Sequence, residues 1–581
     1  MQHLIELSFG PVQDFIAAAR RTADLWAGSS LLSDVARAAG NSLLDSGAQL
    51  IYPACDRVRD GGSADTSNLS NVMLACIEGD ASVASAAVAK ARAAAAEVVR
   101  EAGRDALRQL PALDPDRVTG QLDDALESFA AWSELGEDYQ QSYKALKVAF
   151  GARKNTRDFT AYPHGASVPK NSLDGLRETV LPARLDCRLR RRLQLSDGEQ
   201  LDALGVVKRL RGRDAGDGFT PLTRIAAHGW LSSLTADARR QLQLAYEPLV
   251  ALDLATRARS AVFEDFPFDA GLVYAERLER ARREVVDDAD DARIAAIDRL
   301  REVLRPLWRA FGSPNPYVAL LMADGDQMGK CVGSARSAAD HEAITRAVSG
   351  FADSAIKILA AHDGQAIYAG GEDVLGMIPM ASALSAPSEL AQAFKEAVDG
   401  LPGHIDRPTL RVGVVIAHML EPLGTLRDWA QKAEAFAKGE AGSPTQGNAL
   451  GLRLHVRAGH VVELRMPFSD DEDFQALGHW IAAYVAGDFP SRLGYDARGL
   501  ELDRRLRHLP DGIARAGFTR LLERARESGG GAALAGHWQP MLEERLARLG
   551  GSLERLGTEL IFARWVSART RHDLLLTGGS R

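Results

Sequence analysis

Cysteine is scarce in this chain. Its 581 residues include four, Cys55, Cys76, Cys187 and Cys331, far apart and with no CxxC pair. That spacing excludes a cysteine-rich zinc knuckle and argues against a disulfide scaffold. Long apolar runs are missing too. No stretch reaches the roughly 20 residues that cross a bilayer, so no membrane association is expected. The Ala-rich run from Ala81 to Ala102 is broken by Lys90, Arg92, Glu97 and Arg100. The N-terminus has no basic region followed by an apolar core, so no secretory leader is expected and a reducing cytoplasm is. Nor is there an excess of positive charge: 70 Lys and Arg stand against 78 Asp and Glu, a formal net charge of -8. Coating of nucleic acid by bulk positive charge is therefore not expected, although local basic patches remain open.

What is present is the composition of an ordinary globular protein, 46% hydrophobic and 25% charged, with length for about four domains. Residues 1–110 read as a small α/β domain. His3 to Leu7 is a short apolar run ending at a Gly-Pro turn, where proline suits the first position of a helix from Pro11. Ala48 to Tyr52 and Val72 to Glu78 read as strands, and Ser82 to Leu110 as an Ala-rich helix. Residues 111–310 are dominated by Arg/Leu/Ala helical patterns. In residues 311–468, Tyr317 to Ala323 is a continuous apolar run that fits a buried strand. A helix follows, then a hairpin at 365–369 and 374–378, a helix near 388–398, a strand at 410–417, a helix at 425–438 and a second hairpin. Strand, helix, hairpin, helix, strand is the order of a ferredoxin-like palm. Residues 469–581 read as helical, so the fold class is α/β (α+β), and residues 1–110 share the coarse order of the second palm.

Two acidic turns carry the chemistry. Asp324-Gly325-Asp326 follows the buried strand, and Glu372-Asp373 sits at the tip of the hairpin. In such a unit the strand and hairpin are neighbours, so both clusters are expected at one sheet edge. Crowded carboxylates repel unless a cation neutralises them, and hard oxygen donors point to Mg2+ or Mn2+. Gly370 and Gly371 leave room for backbone to approach a triphosphate. Lys330 and Lys438 supply positive charge for its phosphates. Nucleotidyl transfer needs this set. Either turn alone reads as an ordinary turn; the pair, each beside an apolar strand, points to function.

These residues resemble a known family. Ser8 to Ile16 (SFGPVQDFI) with Asp24 to Ser29 (DLWAGS), Ala323 to Lys330 (ADGDQMGK), Tyr368 to Val374 (YAGGEDV), and Ala433-Glu434 with Ala437-Lys438 are similar, in order, to motifs of the large palm-containing subunit of type III CRISPR effector complexes, in the Cmr (III-B) branch. The resemblance implies two palms facing each other and two ATP molecules between them. It further implies synthesis of cyclic oligoadenylates when a guide RNA pairs with target RNA, in company with other Cmr subunits. By the same resemblance Asp324, Glu372 and Asp373 are catalytic. Asp324, Gly325, Glu372 and Asp373 hold metal. Ser8, Gly10, Gln13, Asp326, Lys330, Gly370, Gly371 and Lys438 line the nucleotide site.

Three departures matter. The hairpin has Gly-Gly-Glu-Asp where the family has Gly-Gly-Asp-Asp; glutamate keeps the charge and reaches one methylene further. The Pro-Val-Gln signature starts at Pro11, which leaves no room for an HD nuclease domain, so DNA cleavage is not expected; His362-Asp363 and His572-Asp573 read as surface pairs. Asn171, Asp174, Asp202 and Gly205 stand where relatives place zinc thiolates, so no structural zinc is expected. Arg188 to Arg192 (RLRRR) reads as a solvated helix face or an RNA or subunit contact. Asp287 to Asp291 and Asp470 to Asp473 read as helix caps or solvated loops. Two alternatives stay open: a catalytically silent scaffold of the same complex, and a stand-alone diguanylate-cyclase-like enzyme.

Overall fold

A computed structural model describes the chain except for residues 12–14, 17, 60–68, 157–167, 215–219, 259–260, 288–289, 441, 444–445, 457–458, 509, 528–533, 535 and 578–581. Strands β1 (Gln2–Gly10), β2 (Gln49–Tyr52), β3 (Val72–Glu78) and β4 (Glu127–Glu134) form one sheet in the order β2-β3-β1-β4, every pair antiparallel. With the helices Thr22–Asp45 and Ala81–Gln109 between them, this is the ferredoxin-like arrangement. The boundary at residue 110 needs correcting, because β4 completes this sheet from beyond it. Its sequence, ESFAAWSE, is poor in β-branched residues, so its strand character rests on pairing with β1. The helix read from Pro11 falls partly on residues outside the described set.

The second sheet has six strands: β5 (Tyr317–Asp326), β6 (Gln365–Gly370), β7 (Asp373–Ile378), β8 (Thr409–His418), β9 (Ala449–Leu454) and β10 (Val462–Pro467), in the order β10-β9-β8-β5-β7-β6. The four strands β8-β5-β7-β6 repeat the first sheet's topology. β9 extends it in parallel with β8, and β10 pairs back on β9. Both faces of β5 are covered. Ala319, Leu321 and Ala323 join Phe351 and Phe394 in one core, while Val318 and Leu320 meet Ile297, Leu300 and Leu304 of the middle segment in another. That two-sided burial is why β5 reads as an unbroken apolar run. The C-terminal helices pack Trp480 and Phe562 into the first of these cores. Among the described residues no helix is long and apolar enough to cross a membrane.

Two glycines set the height of the helix that reaches the site. A Cβ on Gly413 of β8 would lie 2.1 Å from the backbone N of Glu434, and one on Gly451 of β9 would lie 2.2 Å from the Ala433 carbonyl. The Leu423–Lys438 helix therefore rests directly on the sheet, which carries Glu434 and Lys438 to the strand ends. Replacing Gly413 by valine forces that backbone away. The expected loss is roughly 1–3 kcal/mol of stability, read as a lowered denaturation midpoint.

In the middle segment the turns at Asn171–Asp174 and Asp202–Gly205 lie side by side. Ser172 N donates to the Gln200 carbonyl and Gln200 N to Ser172 Oγ. Asp202 accepts from Gly205 N at 2.7 Å, and Asn171 accepts from Leu173 N. Of the acidic runs, Asp290 caps the Asp291–Phe311 helix and Asp470 the Asp471–Ala486 helix. Within Arg188 to Arg192, Arg190 pairs with Asp197, and Arg192 bonds Gln109. His362 bonds Glu389 and Asp363 pairs with His228.

The palms touch directly. Arg57 pairs with Asp353 and donates to the Ser349 carbonyl at 2.9 Å. Thr345 Oγ1 donates to the Ile51 carbonyl, and the Tyr139 hydroxyl lies 2.7 Å from His341 Nδ1. These contacts bring the C-terminal end of β2 to the helix Ala338–Ala361, beside the β6–β7 turn.

Candidate functional site at the inter-palm cleft

The β6–β7 connection is a tight turn in which Gly370 pairs with Asp373. Gly371 has φ +68°, a left-handed conformation that glycine adopts without penalty, and a Cβ there would meet only Val348, at 3.9 Å. Gly370 has a different reason for being glycine: the Tyr368 hydroxyl would lie 2.2 Å from its Cβ. Gly325 explains how the two acidic turns meet. Its missing Cβ would stand 3.0 Å from Glu372 Cβ, so the Glu372 side chain lies against the Gly325 backbone. The last β5–β7 pair is Ala323 with Val374, so Asp324 and Asp373 are the next positions along neighbouring strands.

Electrostatics divides the cluster in two. Glu372 and Asp373 have no ion pair among the described residues. Burial pushes the Glu372 carboxyl up. Asp373 keeps part of its surface in solvent, yet burial of its carboxyl, then the charges of Glu372 and Glu434, push it to about 7. On the other side of β5, Arg411 of β8 is directly opposite Asp324. Its guanidinium pairs with Asp324, Asp326 and Glu434.

Asp326 has a structural task. It is 5% exposed and accepts from Arg411 at 2.8 Å, Thr409 at 3.1 Å and the Asn448 amide at 2.8 Å, which closes the β8–β9 connection. Ser8 is also buried, on the β1 face it shares with Leu4 and Glu6. These two expected nucleotide contacts are thus tied into the protein interior. Gly10 faces open space. Gln13 lies outside the described residues. Lys330 is exposed and donates to Gln327 Oε1; Lys438 is exposed at the end of its helix.

Four residues were not anticipated: Arg411, Thr409, Asn448 and Tyr52. Tyr52, at the end of β2, brings the first palm to the acidic turn. Burial raises its phenol, and the charges of Glu372 and Asp373 raise it further. Arg411 had a sequence signal, a lone cation in the apolar strand TLRVGVVIAH. Its partner became evident only with the β5–β8 register.

Among the described residues no three His, Cys, Asp or Glu side chains enclose a metal position. The donor chemistry nevertheless fits a hard divalent cation. Glu372 and Asp373 offer crowded oxygens that no cation among the described residues pairs with, and Asp324 stands one strand away.

Comparison with known proteins matches this architecture. A family model for the Cas10/Cmr2 second palm domain covers residues 317–444, and one for the N-terminal part of CRISPR-associated protein Cmr2 covers residues 4–110. Two separate regions of the chain, residues 4–110 and 317–444, thus match Cas10/Cmr2-type domain models. It is 25% identical over 240 residues to the CRISPR system Cmr subunit Cmr2 of Pyrococcus furiosus, a stretch covering 36% of this chain and 27% of that relative. The chain thus matches about a quarter of the relative's length. Among solved structures it is similar to a chain of the type III-B Cmr-beta complex in its apo state (13% identity, TM-score 0.58, covering 86% of this chain and 75% of the other). It is likewise similar to a chain of Cmr-beta bound to cognate target RNA (12% identity, TM-score 0.59, covering 86% and 76%). At these identities the likeness concerns the fold, two palms with helical additions.

Proposed function

We propose that this chain is the large subunit of a type III-B RNA-guided effector complex. In this reading it joins ATP into cyclic oligoadenylates by metal-dependent 3′–5′ nucleotidyl transfer. The observation that carries the reading is the uncompensated Glu372–Asp373 pair, held against Gly325 at the inter-palm cleft. Its partners are other Cmr subunits and, through the complex, guide and target RNA.

A divalent cation, when bound, supplies a lowered pKa for the attacking 3′-hydroxyl and charge stabilisation for departing pyrophosphate. Glu372, Asp373 and Asp324 would hold it. The protein's own contribution is positional. Gly371 leaves the turn open so that triphosphate can approach the backbone. Lys330 and Lys438 place positive charge at the rim, where phosphates are attracted. Tyr52 brings the wall of the first palm against the acidic turn, so the nucleotide site is shared between palms. The test is to assemble the complex with guide and target RNA, add ATP and Mg2+, and look for cyclic oligoadenylates. Their absence from an intact complex removes the enzymatic reading.

One observation favours the scaffold alternative: Asp324 is already neutralised by Arg411. A scaffold shows no metal-dependent ATP binding by the isolated chain, which separates the two.

The raised Asp373 carboxyl sets a pH dependence. Below about pH 7 it holds a proton that a cation must displace. Mn2+ affinity is therefore expected to fall as pH drops through 7, by about tenfold per unit for one displaced proton, measured by electron paramagnetic resonance titration between pH 8 and pH 5.5.

A further inference from the structure

Asp324 sits on the central strand of its palm between opposite charges. On the β8 side Arg411 is its register partner. On the β7 side the neighbouring position is Asp373, beside Glu372. Its carboxylate therefore has two destinations. One is the Arg411 guanidinium, which it occupies in this structure. The other is the cleft, where it would join the two uncompensated acids around a cation.

We propose that Arg411 is a built-in counter-ion that holds Asp324 out of the metal position, so that loading the cleft with a divalent cation requires Asp324 to exchange Arg411 for the metal. The proposal rests on the cation reading of the cleft and deepens it by naming what opposes loading.

The three acids around Arg411 are not equivalent. The side chains of Asp326 and Glu434 are 6% and 15% exposed, that of Asp324 34%. Asp326 is fixed by Thr409 and the Asn448 amide besides Arg411. Glu434 rides on a helix pressed onto Gly413 and Gly451. Asp324 is thus the partner able to leave, and Arg411 keeps two carboxylates when it does. A guanidinium suits this post because its fork can serve several oxygens at once, whereas a lysine ammonium is a single point charge.

Mn2+ affinity of the full chain, measured by electron paramagnetic resonance, tests this alongside a thermal melt. Arg411→Gln is expected to bind Mn2+ about tenfold tighter, since the competing cation is gone. Asp324→Asn should weaken binding several-fold more in the Arg411→Gln background than in the wild type, because in the wild type the gain from Asp324 coordination is partly offset by the Arg411 pair it must give up. Equal effects in both backgrounds would mean that Arg411 acts through general field alone, and overturn the proposal. So would unchanged or weaker Mn2+ binding by a folded Arg411→Gln chain. Should Arg411→Gln melt below the assay temperature, Arg411→Lys takes its place: tightening of about threefold supports the proposal and no tightening overturns it. If Mn2+ binds neither the wild type nor the variants, the cation reading itself fails; if it binds but Arg411 has no influence, only the counter-ion fails.

Discussion

Replacing Glu372 and Asp373 together by alanine should abolish the proposed cyclic oligoadenylate synthesis and leave the protein folded. Loss of the pair proposed to hold the cation would remove several kcal/mol of transition-state stabilisation, a fall in rate of at least ~10^3-fold at 1.36 kcal/mol per factor of ten. The measurement is product formation by the assembled, target-activated complex. The unfolding midpoint of the variant should match or exceed that of the wild type. Two crowded carboxylates with no ion pair among the described residues repel each other, and burial already opposes their ionised forms, so removing them relieves the metal-free chain. Lost activity together with lost assembly would mean instead that the turn is architectural.

The largest stability effect is expected at Arg209. Its guanidinium is 3.1 Å from both Asp24 oxygens and from Glu199 Oε1, and it donates to the Leu193 carbonyl at 2.7 Å. The three side chains are 4%, 4% and 1% exposed. Arg209→Ala strips two buried carboxylates of the guanidinium that bridges them, leaving only the longer Arg20–Glu199 pair at 3.7 Å and the nearby charge of Arg21, which costs roughly 3–5 kcal/mol. Denaturant titration should show it. Burial already pushes the Asp24 carboxyl up against the pull of Arg209 and Arg21. Without Arg209 the folded state takes up a proton there more readily than the unfolded chain, so the deficit should shrink as pH is lowered. Arg209→Lys should recover only part of the loss, because a point charge cannot span both acids.

How much of this was legible in the residues depends on how local each cause is. The strands of the second palm could be read because their apolar runs and turn glycines are local features. The meeting of the two acidic turns was legible for the same reason, since a strand–helix–hairpin unit leaves few ways to place its parts. β4 was not, because Glu127 to Glu134 owes its extended form to β1 and not to its own propensities. The bonds of Asp326 were hidden for a related reason: an aspartate beyond a strand looks alike whether it faces a cleft or closes a loop, and its partners Thr409, Arg411 and Asn448 are remote in sequence. Arg411 was visible as an oddity in an apolar strand, but its meaning depends on register.

The bridge from Arg57 to Asp353 joins residues 296 positions apart. At translation rates of about 5–20 residues per second, the ribosome needs on the order of 15–60 s to deliver the second after the first. The sheet β2-β3-β1-β4 has its own core and can be complete for most of that interval, with Ile51, Tyr52 and Arg57 left without their counterpart until it is made. The nascent chain therefore passes through a stage with half a clasp, when a chaperone or a second nascent copy competes for that face.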